Sequence, residues 1–143
     1  MKTKPYISSI LLALYRLILM GLGLYFVFIR PPLLPEDPRY MGATLTEIQT
    51  TLPGLLIWLR RVFWVMGGFM FATGLLILYV AQTTFRTHST SAHLIISLAA
   101  LSSIGWMAVV NFLIDSDFKW LILSFNLPWM IALILSWGER RQI

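Results

Sequence analysis

The stretch YISSILLALYRLILMGLGLYFVFI, residues 6–29, decides the fold because it is apolar along nearly its whole length. It slightly exceeds the ~20 residues with which a helix crosses a ~30 Å hydrocarbon core. Three similar runs follow at residues 62–81, 92–114 and 120–137. Barrel strands would be about half as long and would alternate apolar with polar residues. The sequence therefore predicts an all-α membrane protein, an up-down four-helix bundle that forms one domain over residues 1–143.

The composition agrees with a membrane protein. Of the 143 residues, 58% are hydrophobic and 12% are charged, and the mean hydropathy is +0.78, whereas soluble domains carry roughly 25% charged residues. The chain has no cysteine, which excludes disulfides, thiolate metal sites and covalent c-type haem. The formal charge of +5 comes largely from basic residues at the ends of the runs, where they anchor against headgroups. We expect no nucleic-acid partner.

The orientation is decided by the basic residues near the spans. The N-terminal run is too long for a signal peptide and lacks a small-residue cleavage site, so we expect it to be retained as the first helix. Four spans place both termini on one side, and the basic residues divide equally between the sides. The termini side has Lys2, Lys4, Arg86, Arg140 and Arg141, and the other side has Arg30, Arg39, Arg60, Arg61 and Lys119. We predict an inner-membrane protein with cytoplasmic termini.

The first outer loop begins with RPPLLPEDPRYMG, residues 30–42. Its prolines fix their own φ and disfavour the α region for the preceding residue, so we expect an extended strap. Glu36 and Asp37 within it are interpreted as a solvated turn in preference to a weak cation site. Thr44 and Glu47 then have the spacing of a capping box. Leucine and isoleucine recur at helical spacing over residues 45–59, which predicts an amphipathic helix on the outer interface, with a bend near Arg60 and Arg61.

The second run, RRVFWVMGGFMFATGLLIL (residues 60–78), contains several small residues. Gly68 and Ala72 are four residues apart and share a helix face, which would allow another backbone to approach closely. We interpret the small residues as helix packing, within the bundle or between copies, and they are Gly67, Gly68, Ala72 and Gly74. This run, after a proline-rich outer loop, resembles uncharacterised families of small four-helix bacterial inner-membrane proteins. The resemblance covers roughly a third of the chain and transfers no functional residue.

Arg16 stands near the middle of the first run, where insertion scales give a cost of about 3 kcal/mol. Its side chain could extend toward the inner headgroups, tie to polar groups inside the bundle, or bind an anionic group such as a lipid phosphate. Pro128 has no N–H and leaves the Ser124 carbonyl without its helical partner. These residues define a predicted midplane polar cluster, whose members are Arg16, Thr73, Ser102, Ser103, Ser124, Asn126 and Pro128.

Catalytic and metal sites are not indicated. His88 and His93 are five apart, whereas a helical metal pair needs a spacing of three or four, so both are interpreted as interfacial. Asp115 and Asp117 are interpreted as a polar cap before the fourth span. No nucleophile has an evident base beside it, and no pair of carboxylates falls within a span. We therefore expect no catalysis, no metal and no cofactor.

Three classes of function stay open on these grounds. The first is an accessory membrane protein that binds a membrane lipid, a partner membrane protein or a second copy of itself. The second is an oligomeric transporter or channel for an anionic solute, with the polar level around Arg16 as its constriction. The third is an enzyme or redox subunit with a quinone or haem site. The absence of a catalytic constellation favours the first class.

Overall fold

The computed structural model describes residues 7–83 and 90–140, and this part of the chain is helical, with no strand. Four helical stretches are long and apolar enough to cross a membrane: Ile7–Phe28, Leu55–Gln82, Thr90–Leu113 and Lys119–Gly138. The elements in chain order are α1 (Ile7–Phe28), α2 (Glu36–Met41), α3 (Leu45–Thr51), α4 (Leu55–Thr83), α5 (Thr90–Ala100), a π-helical segment (Leu101–Gly105), α6 (Trp106–Leu113), α7 (Lys119–Ser124) and α8 (Leu127–Arg140).

Helix α1 lies at the centre of the molecule and packs against both α4 and α8. Its buried side chains follow helical spacing, with Leu12, Tyr15 and Leu19 at 1% exposure or less. Ile96, Ala100 and Ile104 of the third apolar stretch and Ala132 of α8 complete this core. Large apolar side chains also cover the outside of all four stretches, as on a lipid-facing surface; examples are Leu17, Leu76, Leu98 and Ile134.

Glycines set the distance between α1 and α4. A Cβ atom on Gly23 would lie 2.7 Å from the Gly67 carbonyl oxygen, and one on Gly74 would lie 2.6 Å from Cγ of Met20. Both distances are shorter than any ordinary carbon contact. Since the later residue of α1 meets the earlier residue of α4, these two helices run antiparallel.

The proline-rich strap is not extended as predicted. Residues Glu36–Met41 form the helical turn α2. Pro38 is tolerated because the first N–H groups of a helix have no intrahelical partner, so its missing N–H costs no hydrogen bond. The Asp37 carboxylate accepts the backbone N–H of Leu34 at 2.7 Å, which holds the strap against the turn.

The predicted helix over residues 45–59 is divided in two. The capping box is confirmed, since Thr44 and Glu47 bond each other's backbone N–H groups. Leu52 leaves the α region, at φ −134° and ψ 69°, because it precedes Pro53. Helix α4 then begins at Leu55 and continues unbroken through Arg60 and Arg61. The predicted run, residues 62–81, covers only part of α4, because hydropathy detects the apolar part of a helix and backbone hydrogen bonds set its full length.

Candidate functional site

The predicted midplane polar residues satisfy their hydrogen bonds locally. The hydroxyls of Thr73 and Ser103 donate to carbonyls four residues earlier, at 2.8 and 2.6 Å. Ser124 donates to Leu121 at 2.7 Å, and Ser102 makes a longer bond of 3.4 Å to Ala99. Each hydroxyl therefore bonds a carbonyl within its own helical stretch.

Arg16 is half-buried on the α4 side of α1, where its carbonyl oxygen would lie 3.2 Å from a Cβ atom on Gly74. Over residues 7–83 and 90–140, its guanidinium takes part in no hydrogen bond or ion pair. Asn126 is engaged elsewhere: it donates to Ile122 at 3.1 Å and accepts from Trp129 Nε1 at 3.2 Å. The helix is interrupted at Phe125 and Asn126, just before Pro128. A shared role for Arg16 and these groups stays a prediction.

The four small residues of α4 lie on two faces. Gly67 and Gly74 are buried against α1, whereas Gly68 and Ala72 are exposed, and no atom lies within 4 Å of a Cβ atom on Gly68. Packing of the Gly68 face against a second chain stays a prediction.

A serine–histidine pair lies between α5 and α8. His93 is buried, and its Nε2 lies 2.8 Å from Ser136 Oγ; its place at the membrane interface stays a prediction. The Ser136 hydroxyl also donates to the Leu133 carbonyl at 2.8 Å, and Ser136 is 0% exposed. The pair therefore ties two helices together. His88 lies outside the described residues.

A cavity of about 400 Å³ lies at the end of the molecule that carries the strap. We call it the outer cavity. Helices α1, α4, α6 and α7 form its walls, and the strap with α2 forms its far end. This volume falls within the range of small-molecule sites. Its apolar lining comes from Leu22, Phe26, Phe63, Met107, Ile122 and Phe125. Leu121, also on the wall, is 50% exposed, so the cavity communicates with the surface.

Glu36 is the most unusual group on the cavity wall. The residue is only 2% exposed, although glutamate is almost never fully buried without a partner. Its Oε1 accepts a hydrogen bond of 3.0 Å from Ser116 Oγ, in the loop between α6 and α7. Its Oε2 is buried and has no hydrogen-bond partner among the residues that the structure describes. A buried polar atom in this state costs roughly 1–3 kcal/mol, and the residue that carries it is part of the cavity wall.

Arg30 and Asp37 complete the polar end of the outer cavity. The Arg30 guanidinium stacks 3.5 Å from the centre of the Phe63 ring and donates to the Pro31 carbonyl at 2.9 Å. Its side chain is 10% exposed and lies 3.8 Å from Asp37 Oδ2. Burial lowers the pKa of Arg30, and the Asp37 charge partly opposes this shift. The polar end therefore combines one cation with two carboxyl groups, next to an apolar lining.

The other charged groups near this end are paired with one another. Arg39 bonds Asp117 at 2.9 Å, and Lys119 bonds Asp115. The bond to Asp117 is also the main cause of the raised pKa of Arg39. The predicted polar cap at Asp115 and Asp117 therefore consists of two ion pairs, of which Arg39–Asp117 joins α2 to the loop between α6 and α7 and Lys119–Asp115 is local.

The sequence interpretation missed this site because it assigned Glu36 and Asp37 to a solvated turn. The two residues are indeed adjacent to prolines, but Glu36 is buried and bonds Ser116, eighty positions later. One signal pointed toward the site: Arg30, Glu36 and Asp37 directly follow an apolar helix in a segment rich in proline. The loop that contains Ser116 has no local sequence pattern that links it to Glu36.

No family model, curated protein or solved structure matches the chain.

Proposed function

We propose that this chain is an integral membrane protein that binds a membrane lipid, as an accessory component with no catalysis of its own. The observation that carries the proposal is the outer cavity, whose polar end holds Glu36, with a buried oxygen that has no partner in the described part of the chain, and whose lining below is apolar. A cavity that is polar at one end and apolar below suits an amphipathic molecule, whose head needs hydrogen bonds and whose chain needs apolar surface.

The position of the cavity supports the same proposal. Its polar end follows Phe28, the last residue of the first apolar stretch, and its apolar lining continues along α1 to Leu22. In the predicted up-down topology with cytoplasmic termini, the polar end lies at the outer headgroup level and the lining lies in the hydrocarbon. A lipid in the cavity would therefore keep the orientation that it has in the bilayer.

The test is native mass spectrometry of the protein released from gentle detergent, after incubation with a defined lipid mixture. We expect resolved lipid adducts on the wild type and a marked loss of adducts on Met66→Trp, because the larger side chain fills the cavity. The matched control is Val65→Trp, since its neighbour Val65 is also exposed but does not line the cavity. Equal occupancy in both variants would contradict the proposal, and the same spectra report any second copy or partner protein.

A further inference from the structure

We infer that the outer cavity selects a phospholipid whose headgroup carries an ammonium with N–H donors, as in phosphatidylethanolamine. This inference rests on the proposed lipid-binding function and specifies the chemistry of its ligand. It follows from the arrangement of Glu36, Asp37 and Arg30 at the polar end of the cavity.

The ammonium is assigned to Glu36. A carboxylate is purely an acceptor, and Glu36 Oε2 is buried and unpartnered within the described part of the chain. The nearby basic side chains do not satisfy it, because Arg39 pairs with Asp117 and Lys119 with Asp115. Arg30 is turned toward Asp37 and Pro31. A donor that bears a positive charge would fill this position best, since charge-assisted hydrogen bonds are the strong ones.

The phosphate is assigned to Arg30. A guanidinium has five N–H donors in a planar fork that suits phosphate oxygens. Arg30 uses one nitrogen on the Pro31 carbonyl, and its other terminal nitrogen lies 3.8 Å from Asp37, beyond hydrogen-bond distance. Donors therefore remain for a phosphate diester. Stacking on Phe63 holds the plane of the guanidinium while it binds.

The same groups discriminate against other headgroups. A trimethylammonium has no N–H for Glu36, and the aromatic faces of Phe26 and Phe63 that could receive it already hold Arg30. A glycerol headgroup offers hydroxyl donors but brings a net negative charge next to two carboxyl groups. A zwitterionic headgroup with N–H donors therefore matches the cation Arg30 and the two carboxyl groups of Glu36 and Asp37 best.

The experiment measures binding to the wild-type protein of four lipids with identical acyl chains. They are phosphatidylethanolamine, its N-methyl and N,N-dimethyl derivatives, and phosphatidylcholine. Occupancy is read by native mass spectrometry during titration in detergent. Since loss of one charge-assisted hydrogen bond changes affinity by about tenfold or more, we expect comparable binding of the first three lipids and a drop of about tenfold at phosphatidylcholine.

The variant Glu36→Gln should bring phosphatidylethanolamine down to the level of phosphatidylcholine while leaving phosphatidylcholine unchanged. The control is Asp117→Asn, which removes an exposed carboxylate of the same loops that does not line the cavity. Equal binding of all four lipids would overturn the headgroup inference and leave lipid binding intact. Binding of none of the lipids would overturn both proposals. The lipid series needs no variant, so the inference stays testable even if Glu36→Gln fails to fold.

Discussion

The Ser116 hydroxyl donates a 3.0 Å hydrogen bond to Glu36 Oε1, joining the strap after the first apolar stretch to the loop before the fourth. Both residues are at least 98% buried. The same serine oxygen accepts the backbone N–H of Phe118 at 3.1 Å, so it also holds its own loop. The two outer loops are therefore closed around a single buried carboxyl group.

The first prediction concerns this bond. Ser116→Ala leaves Glu36 with neither oxygen satisfied, and we expect a loss of about 1–3 kcal/mol in the free energy of unfolding. The measurement is equilibrium unfolding in mixed detergent micelles. Ser124→Ala is the control, because Ser124 is exposed and bonds only within its own helix. Equal stability of the two variants would show that the Ser116 bond contributes little.

The second prediction concerns the contact between α1 and α4. Gly67→Ala would place a methyl group 2.6 Å from the Gly23 carbonyl oxygen, so the helices must separate, at a cost of typically 1–3 kcal/mol. Gly68→Ala meets no atom within 4 Å and should gain up to about 1 kcal/mol from helix propensity. Opposite signs in unfolding measurements are expected. Destabilisation by Gly68→Ala would instead indicate that a second chain packs on that face.

Much of the fold is predictable from the sequence because the four apolar stretches are long and continuous. The first is predicted over residues 6–29 and observed at Ile7–Phe28. The capping box at Thr44 and Glu47 is also local, since it needs two side chains three residues apart. Contacts of this kind depend on spacing alone, and the sequence displays that spacing directly.

The candidate site is not predictable in the same way. The burial of Glu36 depends on Ser116, which lies in a different loop, and a one-dimensional pattern does not reveal that pairing. The prediction of an extended strap is wrong, because proline is disfavoured inside a helix but allowed in its first turn. The tie between His93 and Ser136 likewise joins residues that are far apart in sequence.

The third prediction is a pH dependence at the start of α3. The Glu47 carboxylate accepts the backbone N–H and the hydroxyl of Thr44, and these bonds lower its pKa. The stabilisation is therefore complete above the ordinary glutamate pKa of about 4.3 and is lost as the pH falls through the lowered value. NMR titration of the Thr44 amide should give a midpoint below the ordinary value. A midpoint at or above it would contradict the capping box, and Glu47→Gln should abolish the titration.

The last prediction concerns Arg16 and the helix break at Pro128. The similar depth of Arg16 and the carbonyl freed by Pro128 predicts that the guanidinium binds the Ser124 carbonyl or the Asn126 side chain, in which case Arg16→Leu and Pro128→Ala would be coupled. Asn126 instead bonds Ile122 and Trp129, and no bond from Arg16 reaches either group over the ranges that the structure describes. We therefore expect the two changes to be additive within about 0.5 kcal/mol in unfolding free energy.

A second double-mutant cycle provides the positive control. Trp129→Phe and Asn126→Leu remove the two sides of a bond observed at 3.2 Å, so they should be coupled by about 0.5–3 kcal/mol. If the Arg16 and Pro128 pair shows coupling of that size, Arg16 is tied to helix α8 and the additive prediction is wrong. If it is additive while the control is coupled, the Arg16 side chain is satisfied by headgroups, water or a bound anion. Anion flux into liposomes that is lost on Arg16→Leu would then favour the bound anion, because a permeating anion would have to reach the Arg16 charge.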